Sequence, residues 1–323
     1  MTTTWSAKDI ATATQGTTTG NWVATSVGID TRTLKPGALF VALPGTKVDG
    51  HEHVKTALEN GAVAALVSKP VEGVDASKLM IVADVEKALQ QLGVAARART
   101  RAKIIAVTGS VGKTGAKEML AAALKPIGNV HATQGNLNNH LGLPITLANM
   151  PLDTEFAILE MGMNHPGEIA TLAAIAQPTV ALVNNAQREH LEFMHTVQAV
   201  AEENGSVLAA LPADGVAVFP AGDAYTGLWG RLAAPRRCIT FGAGGDVQCG
   251  RASWEQGKWQ VEMTTPVGAL SCTLQIAGLH NVTNALAAAA CAVAAGVSLD
   301  AIARGLTAFS PVKGRSRALS VRH

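Results

Sequence analysis

Lys103-Ile-Ile-Ala-Val-Thr-Gly-Ser-Val-Gly-Lys-Thr114 is the stretch on which the reading of this chain turns. An apolar run at 104–108, suited to a buried strand, leads into a glycine-bounded turn. Lys113-Thr114 then open an alanine-rich stretch, 113–124, with helical character. Glycines let a backbone bend so that successive N–H groups face phosphate oxygens, and the start of a helix adds partial positive charge. In that setting Gly109, Ser110, Val111 and Gly112 form the cradle. Lys113 reaches the β- and γ-phosphates, and the Thr114 hydroxyl is placed to hold Mg²⁺. The loop is shorter than the usual G-x-x-x-x-G-K-[ST], because Val107 and Ala106 stand five and six residues before Gly112. A plain strand-to-helix turn is the alternative; the Gly-Lys-Thr sequence in a strand–loop–helix setting favours phosphate.

Downstream of the loop, apolar strands alternate with helices. Strands are expected at 156–160, 179–184 and 215–219, with helices at 166–176 and 196–210. Such alternation implies a mostly parallel sheet covered by helices. Residues 259–279 alternate instead and carry a Pro-Val-Gly turn, which reads as an antiparallel hairpin attached to that sheet. Helices at 283–295 and 298–309 follow, the second capped by Ser298. Upstream, 38–43 and 62–67 read as short buried strands around a helix at 54–60 that ends on Gly61, and a helix at 85–101 leads out. The expected fold is α/β: a small N-terminal α/β domain over 1–100, a P-loop ATPase-like domain over 101–311, and the start of a linker at 312–323.

The chain has 323 residues, 26 Lys+Arg against 24 Asp+Glu, and only 15% charged residues, a balance that argues against nucleic-acid binding. A 48% hydrophobic content with 4% aromatics excludes disorder and implies an Ala/Val/Leu core. Cys238, Cys249, Cys272 and Cys291 are too scattered for a zinc site or a disulfide framework, and read as buried thiols of a reducing compartment. The first residues lack signal-peptide texture, and the longest apolar run, 285–297, falls short of the roughly 20 residues of a membrane span. A cytoplasmic monomer without membrane insertion is expected.

Several polar residues carry candidate chemistry. Glu160 ends the strand 156–160, where the crevice of an open parallel sheet lies, and could share Mg²⁺ with Thr114. A strand-end glutamate facing solvent is the alternative. His190, on the same edge, could ligate a second cation or simply bond backbone. In Thr133-Gln-Gly-Asn-Leu-Asn-Asn-His140 the amides suit sugar hydroxyls and pyrophosphate, or a turn. Asn281 and Asn284 in Gly278-Leu-His-Asn-Val-Thr-Asn284 could read adenine edges, or Asn281 could cap a helix. No Ser/His/Asp or Cys/His nucleophile constellation stands out.

Taken together these segments resemble the Mur ligase family of ATP-dependent amide-bond ligases. The short loop at 108–114, Glu160 in Glu-Met-Gly-Met-Asn-His-Pro-Gly-Glu168 and the segment 278–284 carry the resemblance. So do Asp30-Thr-Arg32, Pro36-Gly-Ala-Leu-Phe40, Pro44-Gly-Thr-Lys-Val-Asp-Gly-His51 and Thr133-Gln-Gly-Asn-Leu-Asn-Asn139. It spans essentially the whole chain. The resemblance implies a first domain that holds the UDP end of a nucleotide precursor, with Thr31, Arg32, Thr46, Lys47 and Asp49 near uracil and diphosphate and Asn138 and Asn139 near the precursor. It implies ATP on Gly109, Ser110, Val111, Gly112, Lys113 and Thr114, adenine on Asn281 and Asn284, and Arg315 approaching the nucleotide. Mg²⁺ would sit on Thr114, Glu160 and His190, so that Lys113, Glu160 and His190 form the catalytic set.

The reaction implied is phosphorylation of the terminal carboxylate of UDP-N-acetylmuramoyl-tripeptide by ATP, followed by attack of the D-alanyl-D-alanine amine on the acyl phosphate. Rivals are a neighbouring Mur ligase, a folylpolyglutamate-type ligase, and a nucleotide-binding regulatory remnant without ligase chemistry. Two departures stand out. Asn204, beside Glu202 and Glu203, occupies the place where many members carry a carbamylated lysine. The sequence also ends at His323, before the family's third domain, so the expectation is of a truncated chain that binds precursor and ATP weakly, with little or no ligation.

Overall fold

The structure, a computed structural model, describes residues 3–45 and 48–310. The sites expected at Thr46, Lys47 and Arg315, and the linker at 312–323, lie outside these residues. The chain divides into two units, Met1–Arg101 with Gln134–Asp153, and Ala102–Thr133 with Thr154–His323.

The first unit is built on four parallel strands in the order Ser26–Gly28, Ala38–Val41, Ala64–Val67 and Leu79–Ile81. Ala38–Val41 and Ala64–Val67 are buried at every position, as continuous apolar runs between helices should be. Helix Val85–Ala98 starts on an Asp84 cap, and the helix at Val54–Glu59 ends before Gly61. Residues 134–153, expected in the central domain, pack here instead. The Asn149 side chain acts as a false strand partner for Val27, accepting its N–H at 2.9 Å and donating to its carbonyl at 2.8 Å. Trp5 Nε1 donates to Ala148 O at 2.9 Å, and helix Gly142–Ala148 is buried throughout.

One Asp–His–Ser chain does form in this unit. His51 Nδ1 lies 2.6 Å from Asp49 Oδ1, and Ser68 Oγ lies 3.2 Å from His51 Nε2. Its role is to tie loops together, because the Nε2 lone pair already accepts the Ser68 backbone N–H at 2.9 Å. That leaves no free base for the hydroxyl.

The second unit is centred on six parallel strands, ordered Arg237–Phe241, Val216–Pro220, Val180–Val183, Lys103–Thr108, Phe156–Glu160 and Val130–Ala132. The expected hairpin is larger and separate: Gln248–Glu255, Lys258–Thr265 and Gly268–Leu274 form their own three-stranded antiparallel sheet. The first of these strands is mostly exposed, so it carries no apolar alternation to read. Helix His280–Ala294 is buried at nearly every position, its alanines allowing close approach to the core. Of the four thiols only Cys272 and Cys291 are buried; Cys249 is exposed, a correction to the expectation that all four would be. Among the described residues no helix is long and apolar enough to cross a membrane.

Candidate functional site

Three neighbouring strands of the second unit end side by side. Val183 pairs with Thr108 and Val107 with Glu160, so Gly109, Met161 and Asn184 leave the sheet along one edge. This is the carboxyl edge, where ligands bind in open parallel sheets. The turn from Thr108 ends at Gly112, the N-cap of helix Lys113–Leu124, in the left-handed region with φ of 80°. A Cβ there would meet Asn284 Oδ1 at 2.5 Å and Asn184 Nδ2 at 2.6 Å, so both backbone and space require glycine.

The loop's own amides do not all face inward as expected. Gly109 N–H donates to Asn204 Oδ1 at 2.9 Å, Ser110 N–H to Asn185 O at 3.2 Å and Val111 N–H to Asn185 Oδ1 at 3.0 Å. A turn this short has to be braced from outside, and the asparagines do it. The first amides of the helix, at Lys113 and Thr114, have no intrahelical carbonyl to bond.

Asn204 is 2% exposed and donates from Nδ2 to Val200 O at 3.1 Å, which fixes it as a brace for Gly109. Its neighbours are engaged elsewhere. Glu203 caps helix Glu168–Ala176 through the Gly167 and Ile169 amides, both at 2.8 Å, and Glu202 accepts from Gln198.

Asn281 and Asn284 share a face of helix His280–Ala294 and are 4% and 5% exposed. Asn284 Nδ2 donates to Asn281 Oδ1 at 3.2 Å, its Oδ1 accepts from Asn184 Nδ2 at 3.2 Å, and Asn281 Nδ2 donates to Ala277 O at 2.7 Å. These amides hold the underside of the loop. Asn281 is not the cap, since the helix begins one residue earlier.

Lys113 folds back over the loop, its Nζ donating to Gly109 O and, at 3.3 Å, to Ser110 O. It also pairs with Glu189 Oε1 at 3.0 Å, the two side chains being 14% and 16% exposed. Sequence reasoning missed Glu189, which reads as one more loop charge. Its Oε2 is buried with no partner among the described residues.

Thr114 Oγ1 lies 3.3 Å from Glu160 Oε1, and Glu160 is 3% exposed. Two hard oxygens side by side on neighbouring elements suit Mg²⁺, so the donor set fits that ion. His190 Nδ1 lies 3.8 Å from Glu192 Oε1, and the residue stands in a left-handed backbone turn. Among the described residues no group of three or more His, Cys, Asp or Glu side chains could hold a metal.

In the first unit, Arg32 is exposed and gripped by Asp30, with Nη2 to Oδ2 at 2.6 Å and Nε to Oδ1 at 2.9 Å. That bond holds the Asp30 carboxyl down at about 2. Thr31 O accepts from Asn60 Nδ2 at 3.1 Å. Asp49 is bound by His51 and lies 3.4 Å from Lys69 Nζ. Asn139 Oδ1 accepts from Leu141 and Gly142 N–H at 3.2 and 2.9 Å, opening helix Gly142–Ala148, and Asn138 stands beside it, half-buried.

Strand, glycine turn and lysine-led helix at the middle of a parallel sheet define a P-loop α/β protein. Residues 107–292 match the model of the Mur ligase middle domain, and residues 23–83 that of the Mur ligase family catalytic domain. The chain belongs to the Mur ligase family. It is 38% identical over 293 residues to UDP-N-acetylmuramoyl-tripeptide--D-alanyl-D-alanine ligase of Escherichia coli (strain K12), covering 90% of this chain and 64% of that relative. It is 39% identical to the protein of the same name in Synechocystis sp., covering 89% of this chain and 62% of the relative. The chain thus spans somewhat less than two thirds of the length of these relatives.

Among solved structures, MurF from Acinetobacter baumannii matches with a TM-score of 0.89 at 34% identity, over 97% of this chain and 70% of that one. MurF ligase from Thermotoga maritima, in complex with ADP, matches with a TM-score of 0.77 at 26% identity, over 91% of this chain and 68% of that one. The apo form of L. casei FPGS shares the fold alone, with a TM-score of 0.56 at 14% identity.

Proposed function

We propose that this chain binds ATP and a UDP-linked muramoyl peptide, as part of a ligase that joins D-alanyl-D-alanine to UDP-N-acetylmuramoyl-tripeptide through an acyl phosphate. The observation that carries the reading is Lys113 at the mouth of the loop with the Thr114–Glu160 oxygen pair beside it, 3.3 Å apart. The kinship to ligases so named supports the choice of substrates.

The physical demand of the reaction is to bring a γ-phosphate and a carboxylate together, although both are anions. Lys113 answers it with a positive charge held at the loop, and the first amides of the helix add directed donors. Thr114 and Glu160 would hold Mg²⁺, which supplies charge neutralisation along the path of phosphoryl transfer. Asn204, Asn185 and Asn184 keep the backbone of the loop in its bent shape. No protein nucleophile is required, consistent with the His51 chain being a structural tie.

In the first unit, Arg32 is the group best suited to a diphosphate: exposed, with a planar guanidinium already oriented by Asp30. Asp49, by contrast, is committed to His51 and would act by shaping the 44–51 loop. Titration calorimetry with UDP-N-acetylmuramoyl-tripeptide and with ADP plus Mg²⁺, followed by phosphate release from ATP with and without D-alanyl-D-alanine, tests the reading. Saturable binding of both ligands is expected. A chain that ignores the UDP-peptide, or releases phosphate equally well with glutamate and a folate, contradicts it.

A further inference from the structure

Lys117 lies one turn beyond Thr114 on the loop helix. Its side chain is 1% exposed. Lysine is almost never buried so deeply unless its charge and N–H groups are engaged. Nζ donates to Thr133 O at 2.7 Å, and lies 3.1 Å from Glu118 Oε1 and 3.6 Å from Glu160 Oε2. Glu160 N–H in turn donates to Thr133 Oγ1 at 3.0 Å. Lys117, Thr133 and Glu160 therefore close a ring.

The geometry follows from helical spacing, since residues three apart share a face. Thr114 meets one carboxylate oxygen of Glu160, Oε1, and Lys117 meets the other, Oε2. A single helix grips both ends of the carboxylate, while Thr133 fixes the backbone that carries it.

We propose that Lys117 is a positioning residue for Glu160. It holds the carboxylate with Oε1 turned to Thr114 and balances its charge before any divalent cation arrives. The inference rests on the reading that Thr114 and Glu160 hold that cation. With Lys117 in place the oxygen pair is ordered in advance; without it a buried carboxylate loses its cationic neighbour and its orientation, and a metal must restore both on binding.

The test uses the whole chain carrying Lys117→Met, and separately Lys117→Gln, which keeps a donor for the Thr133 carbonyl and carries the test should the methionine variant fail to fold. Mn²⁺ binding in saturating ADP is followed by electron paramagnetic resonance, and ADP binding in EDTA by calorimetry. The expected result is a loss of about tenfold or more in Mn²⁺ affinity, with metal-free ADP affinity within about twofold of the parent. Unchanged Mn²⁺ affinity in a folded variant, or an equal loss of metal-free ADP affinity, overturns the inference. Glu160→Gln separates the two readings. If it binds Mn²⁺ like the parent, the metal reading of Glu160 fails and the inference falls with it. If it loses Mn²⁺ while both Lys117 variants retain it, only the inference fails.

Discussion

Glu189 pairs with Lys113, 3.0 Å from Nζ and largely shielded from water. A carboxylate and a phosphate compete for one ammonium, so Glu189→Gln is expected to tighten binding of a methylene-bridged ATP analogue by roughly threefold or more at low salt. Calorimetry checks it, and weaker binding would show that the carboxylate assists the nucleotide instead. A second expectation concerns acid. The His51 backbone N–H, and then its ring, hold the Asp49 carboxyl down at about 2. A carboxyl depressed in the folded state adds stability that is complete above its unfolded value, near 4, and is lost as pH falls from there toward 2. Asp49→Asn should therefore show a shallower fall in denaturation midpoint between about pH 4 and pH 2; a slope equal to the parent's would contradict this. That Thr114 and Glu160 meet was legible, because each sits where a buried strand or turn meets a helix or crevice. Lys117 and Glu189 were not, since a charge on a helix or loop reads as solvated until the fold buries it.

At the scale of elements, the turn and helix around Lys113 were legible to the residue: helix Lys113–Leu124 and strand Phe156–Glu160 are the expected ones. Continuous burial on both faces makes such segments plain. Val130–Ala132 is a half-buried edge strand of three residues, and helix Gly142–Ala148 contains Pro144 in its first turn, so neither carries enough periodicity. What periodicity also hides is the bracing of the loop by Asn184, Asn204 and Asn284 from three separate elements. Gly112→Ala tests that bracing. Strain at positive φ and the Asn184 and Asn284 contacts predict a cost of about 1–3 kcal/mol in urea denaturation, together with weakened ADP binding. A variant as stable as the parent would show that the asparagines yield easily.

At the scale of the whole molecule, the chain leaves the second unit after Thr133 and returns at Thr154, an excursion that no local pattern announces. It is fixed by partners more than a hundred residues away, Val27 for Asn149 and Trp5 for Ala148. The two units should answer different ligands. Hydrogen exchange with ADP and Mg²⁺ is expected to slow amides at 109–115 and leave 26–67 unchanged, and the UDP-peptide is expected to do the reverse. Slowing of both regions by either ligand alone would refute that division. The proposed function depends on Lys113 engaging a nucleotide phosphate, and the direct measurement is titration of ADP with Mg²⁺ into the parent chain and Lys113→Ala. One saturable site in the parent and a loss of about tenfold or more in the variant is the predicted result; equal affinity in both would contradict it.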